Sequence, residues 1–334
     1  MLVVTPMQPD EHDTGSGHPE RPTRLDAARA GIRDAHLDEL VAISEGRDAT
    51  RTELELVHDA RYVSALEELA AEGGGHLDAD TVVAPGSYRA AVRAAGCGLD
   101  AVETLRAGGA DAAFVVTRPP GHHAVASRGQ GFCLLNNVAV AAASLIGAGE
   151  RVLIVDWDVH HGNGTQDIFW DEPSALYVST HQFPAYPGTG RADETGGPHA
   201  SGLTLNFPLP PGATGDVAMV ALDDVVAPVA ERFAPDWVLI SAGFDAHRAD
   251  PLADLAWSAG DYSALAARVL EFAPRAGRTI AFLEGGYDLD ALQASTTATV
   301  SALAGELLRP ESPTSGGPGR EIAVRTQRAL DAIR

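Results

Sequence analysis

Short apolar runs alternate along this chain with longer segments of helical periodicity. Continuous runs of Val, Ile, Leu and Phe are typical of buried strands. These runs predict strands over residues 113–117, 152–156, 175–179, 237–241 and 279–283. Apolar residues at helical spacing predict helices over residues 135–147, 214–233, 259–272 and 289–308. Because the two kinds of element alternate, the pattern indicates an α/β fold with a parallel sheet and helices on both of its faces.

The first third of the chain is mainly helical. The spacing of apolar residues predicts helices over residues 22–35, 50–71 and 85–108. The strand and helix signals continue along the chain without a Pro/Ser/Gly linker until residues 309–319. We therefore expect one domain over residues 1–308, followed by a C-terminal appendage over residues 309–334 that consists of a Pro/Gly linker and a short helix.

Polar residues with metal-binding chemistry follow the predicted strand at residues 152–156. Asp156, Asp158 and His160 alternate, and this spacing places them on one side of an extended chain. Oxygen and nitrogen ligands that face one way at the carboxyl end of a strand suit a catalytic divalent metal. Asp-x-Asp is also common by chance, and the alternative interpretation is a polar turn with a helix N-cap.

Three further predicted strands end in reactive or flexible residues. His122 and His123 follow the strand at residues 113–117 after a rigid Pro-Pro-Gly connection. Asp245 follows the strand at residues 237–241, and a Gly-Gly-Tyr turn ending in Tyr287 follows the strand at residues 279–283. Ligand sites in open parallel sheets lie at the carboxyl ends of the strands. Unrelated turns would not be expected to place these residue types at corresponding positions, so the pattern predicts a single site.

In their order along the chain, these motifs resemble those of the zinc-dependent histone deacetylase family, which includes bacterial histone deacetylase-like amidohydrolases and acetylpolyamine amidohydrolases. The resemblance covers nearly the whole chain and is carried by His18–Pro19–Glu20–Arg21–Pro22, Arg118–Pro119–Pro120–Gly121–His122–His123, Gly131–Phe132–Cys133, Asp156–Asn163, Gly243–Phe244–Asp245 and Glu284–Gly285–Gly286–Tyr287. Asn163 replaces the Asp of many relatives, as in the class II branch. The resemblance implies the arginase/deacetylase-like single domain, with a central parallel sheet of about eight strands and helices on both faces.

The resemblance also implies a metal site. Its ligands would be Asp158, His160 and Asp245, which leave a coordination position open for water. The implied metal is Zn2+, with Fe2+ as the alternative, because the ligand set contains no thiolate that would decide between them. His247, close to Asp245, is a rival ligand that we expect to be an ordinary loop residue.

The catalytic groups implied by the resemblance are His122, His123 and Tyr287. The two histidines would move protons, with His123 as the better candidate for base and acid, and Tyr287 would stabilise the oxyanion. Asp156 would orient His122 and Asn163 would orient His123. Since Asn163 is uncharged, it can hold the ring of His123 but cannot stabilise its imidazolium form by charge.

The family resemblance further implies a narrow tunnel for the acyl-lysine side chain. The residues at its walls and rim would be Gly131, Phe132, Tyr186, Leu252, Gly285 and Gly286. The alternative interpretation of Phe132 and Tyr186 is that their rings are ordinary core aromatics and line no tunnel. Leu252 matches a gate position at which polyamine-preferring relatives carry an acid, and its apolar side chain favours acyl-lysine. A structural K+ near the metal would be bound by Asp156, Asp158, His160 and Ser179.

Composition limits the partners. The chain has 24 basic and 46 acidic residues, a formal net charge of −22, and all of its basic residues are arginines. Direct binding to nucleic acid is disfavoured, and the negative field suits Lys-rich peptides or polyamines, although solubility alone would explain it. Cys97 and Cys133 form no disulfide framework. Without a recognisable signal peptide or membrane span we expect a cytoplasmic protein, either monomer or oligomer.

The sequence therefore predicts a metal-dependent hydrolase of N-acyl amides. The leading interpretation is deacetylation of N-ε-acetyl-lysine in proteins or peptides. The first alternative is an amidohydrolase of acetylpolyamines or other small amides. A more remote alternative is a non-catalytic acyl-lysine binding protein, which would require the loss of a metal ligand or of Tyr287, and all of these residues are present.

Overall fold

A parallel sheet of eight strands forms the centre of the computed structural model, which describes residues 1–7 and 11–333. The strands of the chain are β1 (Leu2–Val4), β2 (Ala42–Ser44), β3 (Gly75–His76), β4 (Val82–Val83), β5 (Ala113–Val115), β6 (Val152–Asp156), β7 (Ala175–Gln182), β8 (Thr204–Leu209), β9 (Trp237–Ala242) and β10 (Thr279–Leu283). The main sheet has the order β2-β1-β5-β10-β9-β6-β7-β8, while β3 and β4 form a small antiparallel ribbon. The predicted α/β class with a parallel sheet is confirmed.

Helices cover both faces of this sheet. They are α1 (Thr23–Asp34), α2 (Arg51–Leu54), α3 (Ala60–Ala71), α4 (Ser87–Arg106), α5 (Asn137–Gly147), α6 (Asn163–Ile168), α7 (Gly215–Ala221), α8 (Ala227–Phe233), α9 (Ala259–Leu270), α10 (Leu289–Leu303) and α11 (Glu321–Ala332), with a π-helical turn (Leu222–Val226) joining α7 to α8. In β6, Leu153 and Val155 belong to one apolar cluster and Val152 and Ile154 to the other. Burial on both faces explains why this strand is a continuous apolar run.

Comparison with the predicted elements shows where local pattern was insufficient. The strands over residues 152–156 and 279–283 are confirmed to the residue. The single helix over residues 50–71 was wrong, because α2 ends at Leu54 and α3 begins only at Ala60. β1 and β2 are three residues long, and β8 contains Asn206 and Pro208, a composition that an edge strand tolerates.

The four neighbouring strands β5, β10, β9 and β6 end at the same edge of the sheet. Val115 pairs with Phe282, Phe282 pairs with Ser241, and Ser241 pairs with Asp156. All four strands are parallel, so their following loops start side by side. The topology therefore brings together the loops that carry every candidate catalytic residue.

The C-terminal residues pack against the rest of the domain. Ile322 and Leu330 of α11 belong to the larger apolar cluster, and the hydroxyl of Thr326 donates to the carbonyl of Asn206 on β8 at 2.7 Å. The predicted helix near the C-terminus is present. Within the described part of the chain, no helix is long and apolar enough to cross a lipid bilayer.

Candidate active site

Asp158, His160 and Asp245 form a cluster at the carboxyl edge of the sheet, with both acids buried and His160 partly exposed. Their ligand atoms all lie within 4.8 Å of one another. Nδ1 of His160 is 3.3 Å from Oδ1 of Asp158 and 3.2 Å from Oδ2 of Asp245. The predicted alternation along an extended strand does not form this cluster, because β6 ends at Asp156. The cluster depends instead on the loop after β6, in which successive main-chain amides donate to the carboxylates. His160 N donates to Asp158, and Val159 N donates to Asp245.

The cluster has the properties of a divalent metal site. Ligand atoms about 2.1 Å from one ion are roughly 3.4 Å apart at tetrahedral angles, close to the observed separations. Oδ2 of Asp245 is buried and accepts no hydrogen bond from any described residue. Burial raises the pKa of Asp245 to about 7, and the charge of Asp158 adds to this effect. A cation between the two carboxylates would offset both the cost of burying the charge of Asp245 and its repulsion by Asp158, so the donor set fits the implied metal.

Two glycines allow these carboxylates to sit close to the main chain. A Cβ at Gly243 would lie 2.1 Å from Oδ2 of Asp158, and one at Gly285 would lie 2.1 Å from Oδ2 of Asp245. The amide of Gly285 donates to Oδ2 of Asp158 at 2.8 Å. Any larger residue at either position would displace one of these two carboxylates.

His122 is held by acids. Its Nδ1 is 3.0 Å from Oδ2 of Asp156, and its Nε2 is 3.7 Å from Oδ1 of Asp158. The hydroxyl of Tyr177 also donates to Oδ2 of Asp156, at 3.2 Å. Although burial opposes it, the charges of Asp158 and Asp156 raise the pKa of His122 well above its ordinary value. This ring therefore favours the charged form.

His123 has the opposite environment. Its Nδ1 is 2.8 Å from Oδ1 of Asn163, and its ring centre is 4.0 Å from that of His122. Burial lowers the pKa of His123 well below its ordinary value, and the neighbouring charges of His122 and His160 act in the same direction. Two adjacent imidazoles with pKa values pushed apart are the arrangement expected when one acts as base beside a charged partner.

Tyr287 is buried and keeps its proton. Burial and the charge of Asp245 raise the pKa of its phenol well above the ordinary value. The hydroxyl has no hydrogen-bond partner among the described residues, whereas the main-chain amide donates to Oδ2 of Asp250 at 2.7 Å. The Arg24 guanidinium lies 5.0 Å from the ring centre. The phenol is thus oriented through its ring and backbone, with the hydroxyl left free to donate.

Phe132 and Tyr186 lie beside the candidate catalytic side chains His123 and Tyr287 rather than deep in the core. The ring centre of Phe132 is 5.7 Å from that of Tyr287, and the ring centre of Tyr186 is 5.0 Å from that of His123. Tyr186 is 44% exposed and Leu252 is 40% exposed, as rim residues should be. Gly131 adopts a φ of +56°, and a Cβ there would lie 2.6 Å from Cδ2 of His123.

The remaining predicted residues lie near the site in different roles. Ser179 pairs in register with Asp156 on the neighbouring strand, and its hydroxyl is 2.9 Å from Nδ1 of His181. His247 lies outside the metal cluster, with Nε2 2.7 Å from Oε2 of Glu311. Gly286 has a φ of +118°, which lets the chain turn into Tyr287.

The sequence did not reveal the roles of several supporting residues. Oε2 of Glu284 accepts from the amides of Gly121 and His122 at 2.7 and 3.2 Å, and burial raises its pKa to about 7. Glu284 thereby fixes the main chain at the start of the loop that carries His122 and His123. Arg24 donates to the carbonyls of Gly286 at 2.6 Å and Glu284 at 2.5 Å. The motifs that contain these residues were visible, but their partners are distant in sequence.

Comparisons with known proteins identify the family of this chain. Residues 18–303 match the histone deacetylase domain. A probable deacetylase of Archaeoglobus fulgidus is 38% identical over 88% of this chain and 84% of its own length. The histone deacetylase-like amidohydrolase of Pseudomonas aeruginosa is 37% identical over 81% of this chain and 73% of its own. The crystal structure of the HDA15 HD domain superposes with a TM-score of 0.89 at 35% identity, covering 98% of this chain and 95% of that one.

The fold is the arginase/deacetylase fold. This chain belongs to the histone deacetylase family, and deacetylase activity follows from that membership. The family resemblance inferred from the motifs is confirmed.

Proposed function

We propose that this enzyme removes acetyl groups from N-ε-acetyl-lysine in proteins or peptides. The observation that carries the proposal is the buried cluster of Asp158, His160 and Asp245 beside a phenol with a free hydroxyl. The rings of Phe132 and Tyr186 flank the approach, which suits an aliphatic stem that ends in a neutral amide.

Asp158, His160 and Asp245 would hold Zn2+, or Fe2+ in its place. The bound ion would polarise the amide carbonyl and lower the pKa of a water molecule. Two carboxylates would balance the charge of a divalent ion, and the imidazole would complete its protein ligands in this largely buried pocket. No thiolate is present among these three ligands, so the donor set favours neither metal strongly.

The chain's own residues divide the proton transfers. Nδ1–H of His123 donates to Asn163, so Nε2 is the acceptor that takes a proton from water and later returns one to the leaving amine. His122, bound to Asp156, supplies fixed positive charge beside it. The hydroxyl of Tyr287 donates to the carbonyl oxygen as negative charge develops, a contribution worth about 100- to 1,000-fold in rate.

The alternative substrate is an acetylpolyamine, and one observation favours it. The charges of Asp78 and Asp80 act on the hydroxyl of Tyr186, whose pKa is raised mainly by burial. Acids near the rim could hold the distant ammonium group of such a substrate. Leu252 at the gate favours the peptide substrate, because an apolar side chain offers that ammonium group no partner.

Relative turnover tests the proposal. Purified, Zn-replete enzyme should have a higher kcat/KM on an acetyl-lysine peptide than on N-acetylputrescine, and Asp158→Ala should abolish both activities and the bound metal. Higher kcat/KM on N-acetylputrescine would replace the substrate assignment without affecting the chemistry. Full turnover by Asp158→Ala would contradict the proposed site itself.

A structural K+ near the metal belongs to the same proposal. Asp156, Asp158, His160 and Ser179 would contribute to its site, and the pairing of Asp156 with Ser179 in register places their main chains side by side. Replacing K+ by a large organic cation should lower both the thermal midpoint and kcat. Equal values in the two buffers would remove the ion from the proposal.

A further inference from the structure

Residues 309–320 lie outside the part of the chain that matches the histone deacetylase domain, yet one of them contacts the loop between Asp245 and α9. We propose that Glu311 is a positioning residue for Tyr287, acting through His247 and Asp250. The inference rests on the proposed function, because it takes Tyr287 as the group that donates to the substrate.

Glu311 fixes His247 from outside the active site. Its Oε2 accepts from Nε2 of His247 at 2.7 Å and from the amide of Ala259 at 2.8 Å. Nδ1 of His247 accepts from the amide of Ala249 at 3.2 Å, so the ring proton lies on Nε2 and points to Glu311. Arg248 pairs with the other carboxylate oxygen. A single carboxylate thus anchors both the loop and the start of α9.

Asp250 carries the connection to the catalytic phenol. Its amide donates to the carbonyl of His247 at 2.8 Å. Its Oδ1 accepts from the amide of Leu252 at 3.0 Å, and its Oδ2 accepts from the amides of Tyr287 and Asp288 at 2.7 and 3.3 Å. The side chain is buried, so each of these bonds is costly to lose.

Tyr287 depends on this anchor because it follows two glycines. Gly286 adopts a φ of +118°, a conformation that leaves the turn without steric restraint of its own. The amide of Tyr287 donates to Asp250, and its hydroxyl makes no bond to a described residue. A displacement of about 1 Å at a catalytic group can cost about 100-fold in rate. Glu311 acts on this bond only through His247 and Asp250, so we expect a smaller loss in kcat, of about tenfold.

The same loop carries Asp245 and Leu252, so Glu311 has two other routes by which it could affect activity. An effect through Asp245 would lower the metal content, and an effect through Leu252 at the rim would raise KM. An effect through Tyr287 would lower kcat alone, because the phenol donates to the oxyanion only as the transition state forms.

A double-mutant cycle in the full-length, metal-loaded enzyme separates these routes. The variants are Glu311→Ala, Tyr287→Phe and their combination, each assayed on whichever acetylated substrate the wild type hydrolyses. We expect Glu311→Ala to lower kcat about tenfold, with KM within about twofold and the metal content unchanged. In the Tyr287→Phe background it should have no further effect, and Glu311→Gln, which keeps an acceptor for His247, should recover most of kcat.

Glu321→Ala is the matched control, because this glutamate is exposed in the first turn of α11. It should leave kcat and the thermal midpoint unchanged. An equal loss from Glu311→Ala with and without the Tyr287 hydroxyl would overturn the proposal, as would loss of metal or a change in KM alone. Full activity of Tyr287→Phe would overturn the proposed function as well, and that single variant identifies this failure separately.

Discussion

The side-chain amide of Asn163 accepts a hydrogen bond from Nδ1 of His123 over 2.8 Å. This bond fixes the tautomer of His123, since the amide oxygen has no proton to give and Nε2 is left as the acceptor. The amide brings no charge to offset an imidazolium. Burial and the charges of His122 and His160 therefore keep the pKa of His123 well below its ordinary value.

Replacing Asn163 by Asp should make His123 more basic. A carboxylate at this distance favours the protonated ring, so the base would stay protonated, and inactive, up to a higher pH. We expect the acidic limb of the kcat/KM profile to move upward by about one pH unit. The profile of the variant should be measured with full metal occupancy at each pH. An unchanged or downward-shifted limb would contradict the role of Asn163.

Gly285→Ala should disrupt the metal site without unfolding the domain. The new Cβ would lie 2.1 Å from Oδ2 of Asp245, so the carboxylate must move. We expect loss of bound metal and a fall in kcat/KM of about 100-fold or more. Gly147→Ala is the control, because a Cβ at the end of α5 meets no atom within 4 Å. Equal metal content in both variants would refute the prediction.

Without metal, Asp245→Asn should be more stable than the wild type. Burial and the charge of Asp158 raise the pKa of Asp245 to about 7, although His160 acts in the opposite direction. Above that pH the metal-free protein must hold two close, buried carboxylates, whose repulsion the single imidazole of His160 offsets only in part. The amide removes this repulsion but also weakens metal binding. We expect the variant to have the higher thermal midpoint after chelation at pH 8, and zinc to raise only the midpoint of the wild type. A lower midpoint of the chelated variant would contradict this reasoning.

Glu20 should stabilise the fold through buried arginines. It accepts from Nη2 of Arg118 at 2.6 Å and from Nη1 of Arg24 at 3.0 Å, with all three side chains buried. Glu20→Gln leaves these arginines without their counter-charge, and we expect a loss of about 3–5 kcal/mol in the free energy of unfolding. Urea titrations at pH 7 would measure the loss.

The same carboxyl gives this contribution a predictable pH dependence. Although burial opposes it, Arg118 and its other partners hold the pKa of Glu20 well below 4.5 in the folded protein. Its stabilisation is therefore complete above the unfolded value of about 4.5 and is lost as the pH falls through the folded pKa. The difference between wild type and Glu20→Gln should shrink in acid. A difference that is independent of pH would exclude this ion pair as its source.

The sequence predicted what depends on local pattern and missed what depends on distant partners. β6 was visible because its five residues are all buried, and the residues after it carry recognisable chemistry. β1 was missed because three residues are too few to show a pattern. The contact of Arg24 with Gly286 joins residues 262 positions apart, so no spacing could indicate it. The link from Glu311 to His247 is hidden for the same reason.

Leu252 should control the choice between peptide and polyamine substrates. It is 40% exposed, so a substitution there has little effect on folding, within about 0.5 kcal/mol, and at the proposed rim it changes the entrance. Leu252→Glu would add a carboxylate that attracts the distal ammonium of N-acetylputrescine. We expect the ratio of kcat/KM for N-acetylputrescine to that for the acetyl-lysine peptide to rise about tenfold, mainly through KM, and to shrink at high salt. Leu252→Met, which keeps the size and adds no charge, should leave the ratio unchanged. If Leu252→Glu and Leu252→Met behave alike, charge at the rim does not select the substrate, and Asp78 and Asp80 become the next positions to exchange.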